Sequence, residues 1–179
     1  MIFIETERLV LRNVESKDAD IMHDYRNNEI CARYQRGQTK DYVGIVTLIE
    51  NHQNDTINTT TPYIVAVAEK QTDQLLGEIV VMPKDGTISL GYTFTYKEHR
   101  KGYAFEALSM LIDLIHMYYP AWDFICFTEP VNIASKGLLI KLGFKDMGFL
   151  SVNQSQVFGK WVNAITEAEI SQAIKQIKS

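Results

Sequence analysis

Apolar and polar positions along the chain follow two different periods, which separate predicted strands from predicted helices. Short runs rich in β-branched and aromatic residues are typical of strands, and they occur at residues 8–12, 63–68, 75–82, 87–95, 124–128, 145–152 and 156–162. Apolar residues at helical spacing predict helices over residues 17–27, 42–49, 102–118, 133–142 and 166–178. Ser16, Thr39 and a capping box at residues 166–169 mark predicted helix starts, and Gly143 marks a predicted helix end.

The order of these elements predicts an α/β fold. Residues 63–95 hold three consecutive strands joined by short polar turns, so we expect an antiparallel meander. The helix at 102–118 separates the strands at 87–95 and 124–128, and such a crossover makes its two strands parallel. Residues 51–62 contain one bulky apolar side chain, Ile57, so this segment is predicted to be a mobile loop, with a lid as one interpretation.

Composition narrows the functional classes. The chain has 179 residues, of which 46% are hydrophobic and 22% charged, so a sizeable core is expected without metal or disulfide. The net charge of −4 disfavours general binding to nucleic acid or anionic membranes. The two cysteines and four histidines lack metal-ligand spacing. We find no signal peptide or bilayer-spanning stretch, and therefore expect a soluble cytoplasmic protein.

The segment after the strand at 87–95 carries the most informative chemistry. Lys97, His99, Arg100 and Lys101 lie directly before a predicted helix in an otherwise acidic protein. Small residues follow at positions 102 and 104, and they leave the backbone at the helix start open to a ligand. The free N–H groups and the dipole of a helix N-terminus favour an anion such as phosphate. A solvated basic turn is the alternative interpretation.

A second segment, residues 129–144, follows the strand at 124–128. Asn132 is a good N-cap and Ser135 stands three positions later, so each has an ordinary structural explanation. The position of the segment is more informative than its residues alone. Both segments leave the carboxyl ends of two adjacent parallel strands, where open α/β sheets bind ligands.

Four motifs in this order resemble the GNAT superfamily of acetyl-CoA-dependent N-acetyltransferases, in particular the branch with ribosomal-protein N-terminal acetyltransferases. They are the opening at residues 6–12, the Ala-Arg-Tyr-Gln at 32–35, the stretch 99–104 that matches Arg/Gln-x-x-Gly-x-Gly/Ala, and Asn132-x-x-Ser135 with residues 141–144. The resemblance covers nearly the whole chain. It implies a single N-acetyltransferase domain over residues 1–179, with a core of 7–163 and a C-terminal helix at 166–178. The implied fold is a mixed, mostly antiparallel sheet with a splayed parallel strand pair and flanking helices.

The resemblance also implies a co-substrate, acetyl-CoA, and a set of residues that hold it. The pantetheine arm would pair with exposed backbone where the parallel strands splay, backbone amides at the helix start would hold the pyrophosphate, and no metal is implied. The implied cofactor-binding residues are Thr93, Phe94, Thr95, Arg100, Lys101, Gly102, Tyr103, Ala104, Asn132, Ser135 and Lys136.

Two positions depart from the family pattern. His99 stands where Arg or Gln is usual, and Leu139 stands where many relatives carry a tyrosine general acid. The resemblance to this branch makes Ser135 the candidate substitute acid, donating to the departing thiolate directly or through water, with a hydrogen bond at the helix start or to the cofactor as the alternative. The candidate bases are Glu78 and Glu129, with a surface strand residue and a helix-leading anion as the respective alternatives. An α-amine, with a reference pKa of about 7.7–8.0, needs little help from a base.

The expected function is therefore direct acetyl transfer from acetyl-CoA to a primary amine. The acceptor is either a small molecule or a protein N-terminus, with no nucleic acid or membrane partner, and a homodimer is left open. Because leucine cannot donate a proton, Leu139 keeps open an alternative, a non-catalytic acyl-CoA-binding sensor. The sequence contains neither the Gly-x-Ser-x-Gly elbow of hydrolases nor a P-loop.

Overall fold

The computed structural model describes residues 1–175, and in that range the chain forms eight strands and six α-helices. The strands are β1 Ile2–Glu5, β2 Leu9–Arg12, β3 Tyr63–Glu69, β4 Leu75–Lys84, β5 Thr87–Phe94, β6 Asp123–Thr128, β7 Lys145–Leu150 and β8 Ser155–Lys160. The helices are α1 Ala19–Asn27, α2 Glu29–Ala32, α3 Tyr42–His52, α4 Tyr103–Tyr118, α5 Ile133–Lys141 and α6 Ala164–Lys175. Residues 176–178 of the predicted closing helix lie outside the described range.

The strands form one sheet in the order β1-β2-β3-β4-β5-β6-β8-β7. The pair formed by β5 and β6 is parallel, and the other neighbouring pairs are antiparallel. The long helix α4 makes the crossover between the two parallel strands, which confirms the predicted mixed sheet.

Helices cover both faces of the sheet and create two apolar clusters. The larger cluster packs α4 residues such as Leu111 against Ile79 and Phe124 of the sheet. The smaller cluster joins Met22 of α1 and Ile45 of α3 to the opposite face. Because both faces are covered, the central strand β3 is a nearly continuous buried apolar run.

Local signals placed some helix ends correctly and others wrongly. The side chain of Asp41, and not that of Thr39, caps α3, because its carboxylate accepts from the Gly44 amide at 2.7 Å. The predicted capping box at residues 166–169 is also wrong, since α6 begins at Ala164 and Asn163 accepts from the amides that follow it. Both predictions named a residue type that can cap a helix, within three positions of the residue that does. The backbone conformation before the helix decides which side chain reaches the free amides of its first turn.

The start of α1 and the end of α5 show the same contrast. Ser16 is not a cap but the first residue of a 3₁₀ turn, Ser16–Asp18, which precedes α1. At the end of α5 the prediction is confirmed: Gly143 has a φ of +86°, and the amide of Phe144 donates to the carbonyl of Leu139 at 3.0 Å. This is the left-handed helix ending that glycine favours.

The two parallel strands separate soon after they begin. They pair only over Thr87–Ile88 of β5 and Asp123–Phe124 of β6. The Ser89 hydroxyl donates to the Ile125 carbonyl at 2.6 Å, which links the strands just beyond the last pair. From there β6 continues along β8 while β5 continues along β4. The sheet therefore opens into a wedge at the carboxyl ends of β5 and β6.

Candidate active site

A cavity of about 390 Å³ lies at the open end of the wedge. Its lining comes from β4, β5, β6, α5 and the turn before it, the β7–β8 turn with the start of β8, and the segment after α2. It includes Glu129, Asn132, Ser135 and Leu139. The described residues that line it include none from the loop at 53–62. That loop is instead tied to the rest of the fold, with the Tyr119 hydroxyl donating to the Ile57 carbonyl at 3.4 Å. The structure therefore does not support the interpretation of this loop as a lid over the cavity.

Alternate residues of β5 direct their backbone groups into the wedge. The Thr95 amide donates to the Leu76 carbonyl at 2.8 Å, and the alternation of an antiparallel pair turns the backbone of Thr93 toward β4 as well. Tyr92 and Phe94 consequently direct their N–H and C=O groups toward β6, with which they form no pair. Of the predicted pantetheine-binding stretch, Phe94 faces the wedge and the two threonines do not, whereas Tyr92 was missed.

Side chains from other elements already engage the wedge-facing carbonyls of β5. The amide nitrogen of Gln35 donates to the Tyr92 carbonyl at 3.0 Å. The Cys31 thiol donates to the Phe94 carbonyl at 3.3 Å, and Nε2 of His99 lies 2.9 Å from the same oxygen. The backbone N–H groups of Tyr92 and Phe94 remain on this edge as donors for a ligand carbonyl.

The turn before α4 presents a set of unbonded amides. Gly102 and Arg100 adopt left-handed φ values of +83° and +64°. The Glu106 amide donates to the Gly102 carbonyl at 3.1 Å and is the first to enter the helical pattern. The amides of residues 103–105 donate no hydrogen bond within the described chain. Such a helix start is suited to an anion.

The basic side chains around this turn are less available than the sequence predicts. Lys97 forms an ion pair with Asp24 at 2.9 Å, and Lys101 forms one with Glu98 at 2.6 Å. Arg100 forms no ion pair with any described carboxylate. Attraction for a phosphate at this turn therefore rests on the backbone amides and Arg100 more than on a collective basic cluster.

The β1–β2 turn braces the same helix start. The Nε of Arg8 donates to Glu106 at 2.7 Å, and its Nη1 donates to the Lys101 carbonyl at 2.9 Å. The guanidinium also lies 4.6 Å from the ring centre of Tyr103. Burial raises the pKa of Glu106, but hydrogen bonds from Thr6 and Arg8 outweigh burial and hold that pKa below its usual value. Thr6 and Arg8 belong to the opening motif at residues 6–12, but nothing in the sequence indicated that they contact α4.

The start of α5 brings Ser135 against a tyrosine. Asn132 accepts the Ser135 amide at 3.1 Å and so caps the helix as predicted. The Ser135 hydroxyl lies 2.7 Å from the hydroxyl of Tyr92, and burial raises the pKa of that phenol above its usual value. Lys136 turns back along the chain, where its ammonium donates to the Pro130 carbonyl at 3.2 Å.

Glu78 lies outside the cavity lining and is fully buried, so the surface-residue interpretation is wrong. Its carboxylate accepts from Nη2 of Arg26 at 2.6 Å, from the Tyr25 hydroxyl at 3.1 Å and from the Gln38 amide at 3.3 Å. Burial raises the pKa of Glu78, and the ion pair with Arg26 opposes this shift. Its sequence neighbours on β4 could not indicate these partners, which come from α1 and the segment before α3.

Glu129 does line the cavity, and it is paired. Nε of Arg36 donates to its Oε1 at 2.8 Å, and Nη2 of the same guanidinium donates to the same oxygen. The third contact of Arg36 goes to the Asn153 carbonyl at 2.9 Å. Arg36 therefore joins the segment after α2 to the far wall of the cavity, while the second oxygen of Glu129 forms no hydrogen bond with any described residue.

A thiol also lines the cavity, but it is unsuited to nucleophilic attack. Burial raises the pKa of Cys126 to about 12, so its thiolate is scarce at neutral pH. No described cluster of three or more His, Cys, Asp or Glu side chains could hold a metal ion. None of the described helices is long and apolar enough to cross a membrane.

Comparison with known proteins decides the family. A family profile described as an acetyltransferase (GNAT) domain matches residues 8–145. The chain belongs to the GNAT family of acetyltransferases. Among curated relatives, the uncharacterized N-acetyltransferase p20 of Bacillus licheniformis is 26% identical over 155 residues, which cover 81% of this chain and 83% of the relative.

Solved structures agree on the GNAT fold. A GNAT-family acetyltransferase from Bacillus anthracis matches with a TM-score of 0.75 at 21% identity, over 89% of this chain and 96% of that one. RimL, a ribosomal L7/L12 α-N-protein acetyltransferase solved with coenzyme A, matches with a TM-score of 0.72 at 11% identity, over 89% and 97%. Both show the same mixed fold as this chain.

GNAT acetyltransferases use acetyl-CoA as the acetyl donor, and the wedge fits such a molecule. The unbonded amides of residues 103–105 suit its pyrophosphate, and the unpaired N–H groups of Tyr92 and Phe94 suit its amide-containing arm. The cavity at the open end of the wedge is lined by Ser135, Tyr92 and Glu129. Three side chains that can donate or accept protons therefore lie where β5 and β6 are separated.

Proposed function

We propose that this GNAT protein is an N-acetyltransferase that moves the acetyl group of acetyl-CoA directly to a primary amine, of a small molecule or a protein N-terminus. The observation that carries the proposal is the wedge between β5 and β6, with unbonded amides at the start of α4 on one side and a polar cavity on the other.

The residues proposed to hold acetyl-CoA contribute mainly backbone groups. The amides of residues 100–104 would bind the pyrophosphate. The exposure of residues 100–102, the left-handed turn at Gly102 and the unbonded amides of residues 103 and 104 support this role. The N–H groups of Tyr92 and Phe94 would pair with the pantetheine arm, a shift from the predicted Thr93–Thr95 backbone. Asn132 is proposed to reach that arm through its side-chain amide, and Lys136 is proposed as a candidate for the nucleotide.

Direct transfer requires that the chain position two reactants and manage two protons. Holding an amine beside a thioester carbonyl removes most of the entropy cost of their encounter. Backbone N–H groups of β5 would stabilise the oxyanion that forms on the carbonyl. The high pKa of Cys126 supports direct transfer over a route through an acetylated cysteine.

The proposed acid and base differ in how well the geometry supports them. Ser135 lines the cavity and is proposed to protonate the departing thiolate. Glu129 is proposed as the base: its unbonded oxygen would take a proton from the ammonium of the acceptor, directly or through water. Glu78 is proposed to hold α1 against the sheet through Arg26 and to transfer no proton, because its carboxylate is engaged and lies outside the cavity lining.

A thiol-release assay with acetyl-CoA and a panel of small amines and peptides tests this function, alongside CoA binding by calorimetry. We expect transfer to at least one class of acceptor. Ser135→Ala should lower turnover by roughly 100-fold or more, as expected for loss of a general acid, with little change in CoA affinity. Tight CoA binding without transfer to any acceptor would instead favour an acyl-CoA sensor, and an intact Ser135→Ala rate would exclude the acid role.

A further inference from the structure

A tyrosine not assigned by the family pattern supports the proposed acid. Leu139 occupies the position where many relatives carry a tyrosine, and it is buried against the core with 1% of its surface exposed. The phenol that does reach this cavity comes from a strand instead. Tyr92 extends from β5, and its hydroxyl lies 2.7 Å from that of Ser135. No other described residue hydrogen-bonds to the Ser135 hydroxyl.

The alternation of β5 explains why the two hydroxyls meet. Ile88, Leu90, Tyr92 and Phe94 direct their side chains to the face that carries α4 and α5. Of these four, Tyr92 lies in the part of the strand that faces the cavity and bears a polar group. The Asn132 cap fixes the backbone of Ser135 in the first turn of α5, so the serine side chain meets the tyrosine from the opposite wall.

Either hydroxyl could donate in this pair by geometry alone. We assign Tyr92 as the donor, because a phenol, with a reference pKa of about 10, is much more acidic than an aliphatic hydroxyl. Burial raises the pKa of Tyr92 further, which keeps the phenol protonated at neutral pH. Ser135 then accepts from Tyr92, and its own proton is free to point into the cavity.

We propose that Tyr92 is a positioning residue for acetyl transfer, orienting and polarising the Ser135 hydroxyl so that Ser135 can protonate the leaving thiolate. This inference rests on the proposed function. In the step, the amine nitrogen forms a bond with the acetyl carbon, and the bond between that carbon and sulfur breaks with its electron pair on sulfur. Ser135 passes its proton to sulfur, while Tyr92 keeps its own proton and donates a hydrogen bond to the serine oxygen. The proton lost by the amine returns to Ser135 through solvent, so the protons balance.

The test is a double-mutant cycle of Tyr92→Phe and Ser135→Ala, measured by thiol release and by CoA calorimetry. Tyr92→Phe removes one oxygen and keeps the ring, so we expect kcat to fall at least about tenfold with KM and Kd for the CoA substrate unchanged. If Tyr92 acts through Ser135, its replacement should cause little additional loss in the Ser135→Ala background. Ser135→Thr retains a hydroxyl and should remain sensitive to Tyr92→Phe.

Tyr63→Phe is the matched control, because Tyr63 on β3 is also a buried tyrosine, and its hydroxyl has no hydrogen-bond partner in the described chain. It should leave kcat unchanged. An unchanged kcat in Tyr92→Phe, a loss that adds in full to that of Ser135→Ala, or a proportional rise in KM would overturn the inference. Those results leave the proposed function standing if the wild type is active. A wild type that binds CoA but acetylates no amine overturns both.

Discussion

Gly102 offers a sharp test of the turn that is proposed to hold the pyrophosphate. Its φ of +83° lies in the left-handed region, which costs a residue with a Cβ roughly 1–2 kcal/mol. Space is not the obstacle, because an added Cβ would meet Nη2 of Arg8 at 3.5 Å, an ordinary van der Waals contact. Gly102→Ala therefore perturbs the backbone conformation of this turn and little else.

The expected consequence differs between folding and binding. For a chain of this size, roughly 1–2 kcal/mol lowers Tm by about 2–8 °C, measured by differential scanning fluorimetry. The turn is exposed, and we expect the free protein to relax the strain by rotating its amides away from the arrangement that suits a diphosphate. Binding must then restore that arrangement, so Kd for CoA should rise about 5- to 30-fold. Gly102→Asp adds a negative charge beside the pyrophosphate and should abolish binding.

A matched glycine separates the binding effect from the strain. Gly86, in the hairpin between β4 and β5, has a φ of +80° and no atom within 4 Å of an added Cβ. Gly86→Ala should therefore lower Tm by a similar amount and leave Kd for CoA unchanged. If Gly102→Ala bound CoA as tightly as the wild type, the pyrophosphate would not lie on this turn. An equal weakening in both variants would show that the loss comes from general destabilisation.

Three further predictions concern the elements that frame the site. Leu139→Ala should cost about 2–5 kcal/mol, because the side chain is 1% exposed, and calorimetry should show a Tm lower by roughly 4–20 °C. Asp41→Ala should cost about 0.5–2 kcal/mol in urea unfolding through loss of the α3 cap, with Thr39→Ala near neutral as its control. The pKa of Glu106 is lowered in the fold, so its stabilising effect is present above its unfolded pKa of about 4.3 and is lost as the pH falls through the folded value. Urea midpoints of the wild type and Glu106→Gln should therefore converge between pH 6 and pH 3, and a constant difference would contradict this.

Local signals were sufficient where the determinant lies within a few residues. Asn132 marks the start of α5 and Gly143 its end, as predicted, because an N-cap and a left-handed ending depend on amides and carbonyls of the same turn. The parallel pairing of β5 and β6 was also predictable, since the long helix α4 leaves a crossover as the only short connection. The prediction that Thr39 caps α3 was wrong, and the actual cap, Asp41, lies two positions later. The hydrophobic pattern does not determine at which residue the chain turns into the helix.

The register of the wedge could not be predicted from β5 alone. Side chains and backbone groups alternate along a strand, and a shift of one residue exchanges the two sets. Pairing with β4 turns the backbone of Thr93 and Thr95 away from the wedge and presents Tyr92 and Phe94. The sequence pointed to the strand end at which the wedge opens, and the pairing of β5 with β4 decided which of its residues turn their backbone toward the wedge.

Charge partners distant in sequence were equally hidden. Lys97 is paired with Asp24 of α1, although its immediate neighbours suggested a collective basic cluster. Glu78 is buried against Arg26 of the same helix, although its strand position suggested a surface residue. Coulomb interactions act between groups that the fold brings together, so neither pairing leaves a local pattern.

By itself the sequence determined the order of the elements, the parallel crossover, the GNAT resemblance and the two segments of the candidate site, because each depends on hydrophobic period, capping or a contiguous motif. The tertiary structure decided which backbone groups face the wedge, which carboxylate reaches the cavity and which tyrosine meets Ser135. Those outcomes depend on strand register and on contacts between elements far apart in the chain. Such contacts contribute to stability only after the elements have packed together.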